Sequence, residues 1–222
     1  MRLPELVIFD CDGTLVDSER IANEVFAALI TAEGLPTGFA ECVERYMGRS
    51  AGSCVAGIER ELGRPLRTDL LALRTAEVDR RLAGELTAVP GVREALEVLA
   101  AAGTPVCVAS SSTPAEIEFR LQHTGLAEFF GGAVFSATTV PNGKPAPDVF
   151  LHAAKEMGRA PQDCVVVEDS VTGVLAGKAA GMRVIGFADL MAPDALRAAG
   201  ADQVVRHAGE LPAALGYQAN AR

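Results

Sequence analysis

The chain has 222 residues, 49% of them hydrophobic and 22% charged. That is ordinary globular usage with room for one large or two small domains, so disordered and fibrous classes are excluded. Its 20 Lys and Arg against 29 Asp and Glu leave a formal net charge of −9, which argues against nucleic acid or an anionic membrane surface as partner. No apolar run approaches the ~18 residues of a membrane helix, and the first one, Leu6–Phe9, is too short for a signal-peptide core. The chain therefore reads as cytoplasmic. Five widely spaced cysteines without a C-x-x-C pair read as reduced, buried thiols.

In chain order, the first predicted element is a fully buried strand over residues 5–10, a run too brief for a helix that ends in an acidic, glycine-containing turn. Similar runs predict strands over 105–110, 133–136, 164–169 and 183–187. Between them, helical periodicity covers 92–101, 115–123, 148–157 and 171–180. Strands alternating with helices imply right-handed crossovers and a doubly wound parallel α/β sheet. One stretch breaks the alternation, because residues 18–86 contain no strand candidate. They are expected to form an all-helical insert leaving the sheet just past the first strand, with a return hinge at 88–91. The predicted organisation is a core of residues 1–17 and 87–222 and a helical cap of 18–86. Residues 37–85 contain eight Arg and eight acidic residues, so the remainder carries the whole net charge. The tail after Gly216 is expected to fray.

Four clusters stand at the ends of predicted strands, the edge where such a sheet collects its site. Asp10 and Asp12 flank Cys11 ahead of Gly13, which lets the backbone turn its amides toward an anion. Ser110 and Ser111 precede a helix start, a setting that suits phosphate oxygens. Lys144 sits between Gly143 and Pro145 on a stiffened loop closing at Asp148. Glu168 and Asp169 are adjacent acids that repel unless a cation joins them, and an all-oxygen setting suits Mg²⁺. Taken singly, each has a plainer explanation: an acidic turn, a helix cap, a surface charge. Taken together, in this order, they are hard to explain as four unrelated caps.

These motifs resemble the haloacid dehalogenase superfamily. The chain carries Phe9-Asp10-Cys11-Asp12-Gly13-Thr14-Leu15-Val16-Asp17-Ser18-Glu19, then Ala109-Ser110-Ser111, Gly143-Lys144-Pro145-Ala146-Pro147-Asp148 and Val167-Glu168-Asp169-Ser170. It is similar to the helical-capped subgroup that includes phosphoglycolate and 6-phosphogluconate phosphatases and β-phosphoglucomutase. The resemblance implies a Mg²⁺-dependent phosphatase of a small phosphorylated metabolite. Asp10 is then the nucleophile and Asp12 the general acid and base. Asp10, the Asp12 main-chain carbonyl and Asp169 are implied as Mg²⁺ ligands with Glu168 assisting, while Ser110, the Ser111 amide and Lys144 hold the phosphoryl group. Asp12 must carry the proton it donates, so the two acids need separate protonation states.

Arg49, between helices of the insert, reads either as one of many solvated arginines or as a substrate contact. His123, His152 and His207 are dispersed and give no triad or metal site. Gly173, Gly177 and Gly181 suggest a helix pressed against the sheet. A sugar phosphomutase is the alternative within enzymes, but Ala22 stands where the mutase pattern has its His. A phospho-aspartate receiver is the alternative from another class, opposed by the helical insert. No partner beyond a small phosphomonoester is implied, and a monomer is favoured.

Overall fold

The computed structural model describes residues 3–217, and the chain divides into two compact units, one holding residues up to Asp17 and from Thr87 onward, the other Ser18–Leu86. The first unit is built on β1 (Leu6–Phe9), β2 (Val106–Ser110), β3 (Val134–Ser136), β4 (Cys164–Glu168), β5 (Arg183–Phe187) and β6 (Gln203–Val205). All pairings are parallel, in the order β3-β2-β1-β4-β5-β6. The order reverses beside β1, which opens a crevice at the carboxyl ends of β1, β2 and β4. β1 and β4 are buried along their whole length, as their unbroken apolar runs require of a sheet covered on both faces. The sixth strand was not expected: β6 has three residues, two of them only half-buried, too short and too polar to show a strand pattern.

The second unit is entirely helical among its described residues, with α1 (Ser18–Ala32), α2 (Phe39–Tyr46), α3 (Ala51–Leu62) and α4 (Leu70–Glu85). Ser50 caps α3 by accepting the Ser53 amide at 3.3 Å, Asp69 caps α4 through the Ala72 amide at 3.0 Å, and Gly63 ends α3 at φ +65°, all standard helix punctuation. Its core is small: Phe26, Ala27, Ile30, Cys42, Tyr46, Cys54, Ile58 and Leu70. Where the chain leaves and rejoins the sheet unit, the two segments are hydrogen-bonded to each other, Asp17 N to Thr87 O at 3.0 Å and Val89 N to Leu15 O at 2.9 Å. The return segment is thus a paired pseudo-strand.

Among the described residues, the sheet unit adds seven α-helices: α5 (Val92–Ala101), α6 (Pro114–His123), α7 (Ala127–Phe130), α8 (Asp148–Glu156), α9 (Val171–Ala179), α10 (Pro193–Ala198) and α11 (Leu211–Leu215). Leu6 and Ile8 of β1 pack with Cys107, Ala109 and Val166 against Val149, Phe150 and Ala153 of α8 and Val174 of α9. Strand alternation sends Val7 and Phe9 to the other face, where Phe9 meets Phe130 edge-on with ring centroids 6.3 Å apart. Each such fully buried side chain contributes roughly 1.5–3 kcal/mol by transfer. Two of the three spaced glycines do lie tight on the sheet: a Cβ at Gly177 would stand 2.7 Å from Val184 Cγ2, and one at Gly173 would overlap the Glu168 carboxylate. Gly181 has open space and φ +74°, so it turns the chain after α9 and presses on nothing. All five cysteines are buried and unbridged, and none of the three histidines is buried. The frayed tail expected after Gly216 falls mostly on 218–222, outside the described residues, but Tyr217 is buried and pairs its hydroxyl with Thr104.

Candidate active site

The site forms at the carboxyl end of β1. Asp10 is the first residue past the strand, and its amide still donates to Val167 O of β4 at 2.9 Å, so its backbone is fixed by the sheet. Gly13, at φ +76°, then turns the chain, with the Gly13 amide donating to Val16 O and the Leu15 amide to Cys11 O. A residue with a Cβ would be strained at that φ. The turn keeps Asp10, Asp12 and Thr14 within five residues of a buried strand.

Lys144 is the cation shared by Asp10 and Glu168. Its Nζ donates to Asp10 Oδ1 at 2.5 Å, Glu168 Oε1 at 2.6 Å and Ala109 O at 3.0 Å, which uses all three ammonium hydrogens, and it lies 4.9 Å from the centroid of the Phe150 ring. Its side chain is 4% exposed and that of Glu168 1%. The loop carrying it is closed by Asp148, whose Oδ1 accepts from the Asn142 amide at 3.2 Å and from Asn142 Nδ2 at 3.0 Å. The last residue of the Gly143–Asp148 motif therefore serves the loop and leaves the charge to Lys144.

Glu168 uses both its oxygens. Oε2 accepts the Ser170 amide at 3.1 Å and the Ser170 hydroxyl at 2.9 Å, while Ser170 Oγ accepts the Gly173 amide and caps α9. The missing side chain at Gly173 is what lets the carboxylate lie there. The adjacent acids Glu168 and Asp169 thus meet a cation, but the one seen at Glu168 is the Lys144 ammonium. Asp169 is buried at the end of the same strand.

From β2 comes Ser110, 1% exposed, whose Oγ accepts the Ser112 amide at 3.1 Å. Ser111 follows it, exposed. Asp12 is held from this side: its Oδ2 accepts the Ser112 hydroxyl at 2.9 Å and Arg120 Nη1 of α6 at 2.7 Å. Neither Ser112 nor Arg120 was foreseen as a site residue. The signal was weak, an arginine on a polar helix face 108 positions from its partner. Thr14 Oγ1 is buried with no hydrogen-bond partner among the described residues.

Burial dominates the electrostatics. It pushes the Asp10 carboxyl well above the usual carboxylate range, opposed by the Lys144 charge and reinforced by Glu168 and Asp12. Burial also works against the Lys144 ammonium, but the charges and hydrogen bonds of Asp10 and Glu168 together outweigh it and leave the amine above its ordinary value. The Cys11 thiol, between the two aspartates, is driven well up by burial and then by its acidic neighbours, so it is no thiolate nucleophile.

Among the described residues no three His, Cys, Asp or Glu side chains converge as a ready-made metal cluster. Mg²⁺ takes one or two carboxylates together with waters and substrate oxygens. Asp10 and Asp169 directly follow the paired strands β1 and β4, so with the Asp12 carbonyl the donors available there are all hard oxygens. Arg49 belongs to the helical unit, exposed between α2 and α3, where it lines a cavity of about 180 Å³ with Glu19, Asn23, Tyr46 and Arg74.

The sequence profile of the haloacid dehalogenase-like hydrolases matches residues 4–181. The chain is 32% identical over 195 residues to a bifunctional riboflavin kinase/FMN phosphatase of Arabidopsis thaliana, covering 85% of this chain but only half of that protein. It is 32% identical over 184 residues to the 6-phosphogluconate phosphatase of Escherichia coli, covering 82% of each. Among solved structures, a HAD family hydrolase of Deinococcus radiodurans with bound phosphate and sodium superposes with a TM-score of 0.86 at 32% identity, covering 96% of both chains. With motifs, topology and profile in agreement, the chain belongs to the haloacid dehalogenase-like hydrolases.

Proposed function

We propose that the protein is a Mg²⁺-dependent phosphatase of small phosphorylated metabolites that works through an aspartyl-phosphate on Asp10. The observation that carries this reading is the buried contact of Lys144 with Asp10 and Glu168 at the end of β1. A lysine that must hold two acids at once is placed to share its charge with phosphoryl oxygens, and Ser110 and the amides beyond it supply further donors. Asp10, the Asp12 carbonyl and Asp169 would hold Mg²⁺, which when bound offsets repulsion between the phosphate dianion and the carboxylates. Glu168, engaged by Lys144 and Ser170, orients the lysine.

In the first step an Asp10 oxygen bonds to phosphorus while the ester P–O bond breaks, and Asp12 gives its proton to the leaving oxygen. In the second, water attacks phosphorus, Asp12 takes the water's proton and the Asp10–phosphorus bond breaks, releasing inorganic phosphate. Arg49 contacts the part of the substrate that does not react. The 6-phosphogluconate phosphatase among its relatives makes sugar phosphates the first compounds to assay. A screen of phosphorylated metabolites with and without Mg²⁺ tests the reading: metal-dependent phosphate release from at least one sugar phosphate is expected, and release from none overturns it.

A further inference from the structure

Asp12 is the acid whose hold on its own geometry is weakest in sequence terms. It stands on a glycine turn, two residues past Asp10, whose amide still bonds to β4, and its side chain is 23% exposed. A proton donor that swings freely must be oriented again in every turnover, and misplacement by about 1 Å can cost on the order of 10² in rate. In the fold, Asp12 is clamped from α6.

The clamp follows from how α6 begins. Thr113 and Glu116 form a capping box and Pro114 opens the helix, which sets the first turn against the end of β2. Ile117 and Leu121, buried at 0% and 2% exposure, fix the rotation of the helix. Arg120 then falls on the flank beside them, two turns beyond Ser112. Helical side chains lean toward the N-terminus, so the long arginine runs back along α6 to the strand end. Its Nη1 donates both to Asp12 Oδ2 and to Ser112 Oγ, and the Ser112 hydroxyl donates to the same Oδ2. The Arg120 side chain is only 12% exposed, so the contact is better shielded from water than a surface pair.

We infer that Arg120, with Ser112, is a positioning residue that holds the Asp12 carboxyl by Oδ2 in the orientation from which it protonates the leaving oxygen. This rests on the reading of Asp12 as general acid. The clamp acts through Asp12 alone, so it matters only where the leaving oxygen needs a proton. An alkoxide needs one. A p-nitrophenolate does not.

The test compares turnover of the sugar phosphate processed fastest in the metabolite screen with turnover of p-nitrophenyl phosphate, both at saturating Mg²⁺. Arg120→Ala should lose on the order of 10-fold or more in kcat on the sugar phosphate and at most about 3-fold on p-nitrophenyl phosphate. Ser112→Ala should show the same split, smaller, and Arg120→Lys should recover part of the loss. In an Asp12→Asn background, Arg120→Ala should add nothing on the sugar phosphate. Circular dichroism checks folding, and if Arg120→Ala does not fold, Ser112→Ala and Arg120→Lys decide. Equal losses on both substrates, with Asp12→Asn still splitting them, overturn the clamp and leave the phosphatase reading standing. No split for Asp12→Asn removes the acid and the clamp together. A wild-type protein that hydrolyses no sugar phosphate overturns the phosphatase reading, and the inference with it.

Discussion

Each unit of the molecule buries an acidic hub, and the two are held by opposite physics. In the sheet unit, Asp10 and Glu168 share one lysine, and burial drives Asp10 upward. In the helical unit, Glu33 follows the end of α1, 4% exposed, and its carboxylate accepts from the Arg67 and Thr68 amides, the Thr68 hydroxyl and Arg64 Nη1. Those donors, the Arg67 amide first, hold its pKa down at about 2. A carboxylate met by fixed dipoles is settled and structural. One that leans on a shared lysine at a sheet edge is strained until another cation or anion rearranges the charges, which is the condition expected of a site.

The largest effect that sharpens this contrast is on Asp10. Asp10→Asn removes the nucleophile, and turnover should fall on the order of 10⁴ or more. Yet it also removes a charge that burial penalises, while Lys144 keeps Glu168, so the thermal midpoint at pH 8 should stay level or rise. A variant that loses stability and activity together would make Asp10 structural, like Glu33, and erase the difference between the hubs.

Next in size is Asp12→Asn. Its loss should reach on the order of 10² on a sugar phosphate and much less on p-nitrophenyl phosphate, because only the alkoxide needs a general acid. Equal losses on the two esters would reject the role.

Smaller again is Arg49→Ala. Its exposed guanidinium on the 180 Å³ cavity of the helical unit should serve uniform binding, raising KM about tenfold with kcat little changed. An unchanged KM across accepted substrates would return it to the solvated surface.

The two units also differ in what the sequence discloses. The grouping of Asp10 and Glu168 with Lys144 was legible because the two acids stand at the ends of apolar strands long enough to show as runs and the lysine stands out on a Gly-Pro loop. β6 was not, since three residues at a sheet edge carry no period. Arg120 and Ser112 escaped because their meaning lies in a contact with Asp12 about a hundred positions away, while locally they look like a solvated arginine and a loop serine. Glu33 escaped likewise: its partners lie 31 to 35 positions on, and nothing local marks it off from the other acids of the helical unit. Gly181 was misjudged because a four-residue spacing cannot tell a glycine packed on a strand from one that ends a helix.

The smallest expected effect on turnover belongs to Glu33→Gln, and it separates the hubs most cleanly. The amide keeps one acceptor oxygen but gives up the charge that four donors converge on, so the helical unit should lose stability while kcat changes less than about twofold. The sign of the pH dependence follows from the lowered pKa. A carboxyl at about 2 in the folded chain against 4.5 ordinarily favours folding fully above pH 4.5, and that advantage drains away as pH falls toward 2. Denaturant unfolding of wild type and Glu33→Gln, followed from pH 7 downward, should therefore show a gap in stability that is constant above pH 5 and closes below it. A gap that persists undiminished at pH 2 would mean that Glu33 acts by shape and not by charge, and the contrast between a settled and an unsettled acidic hub would fail on the settled side.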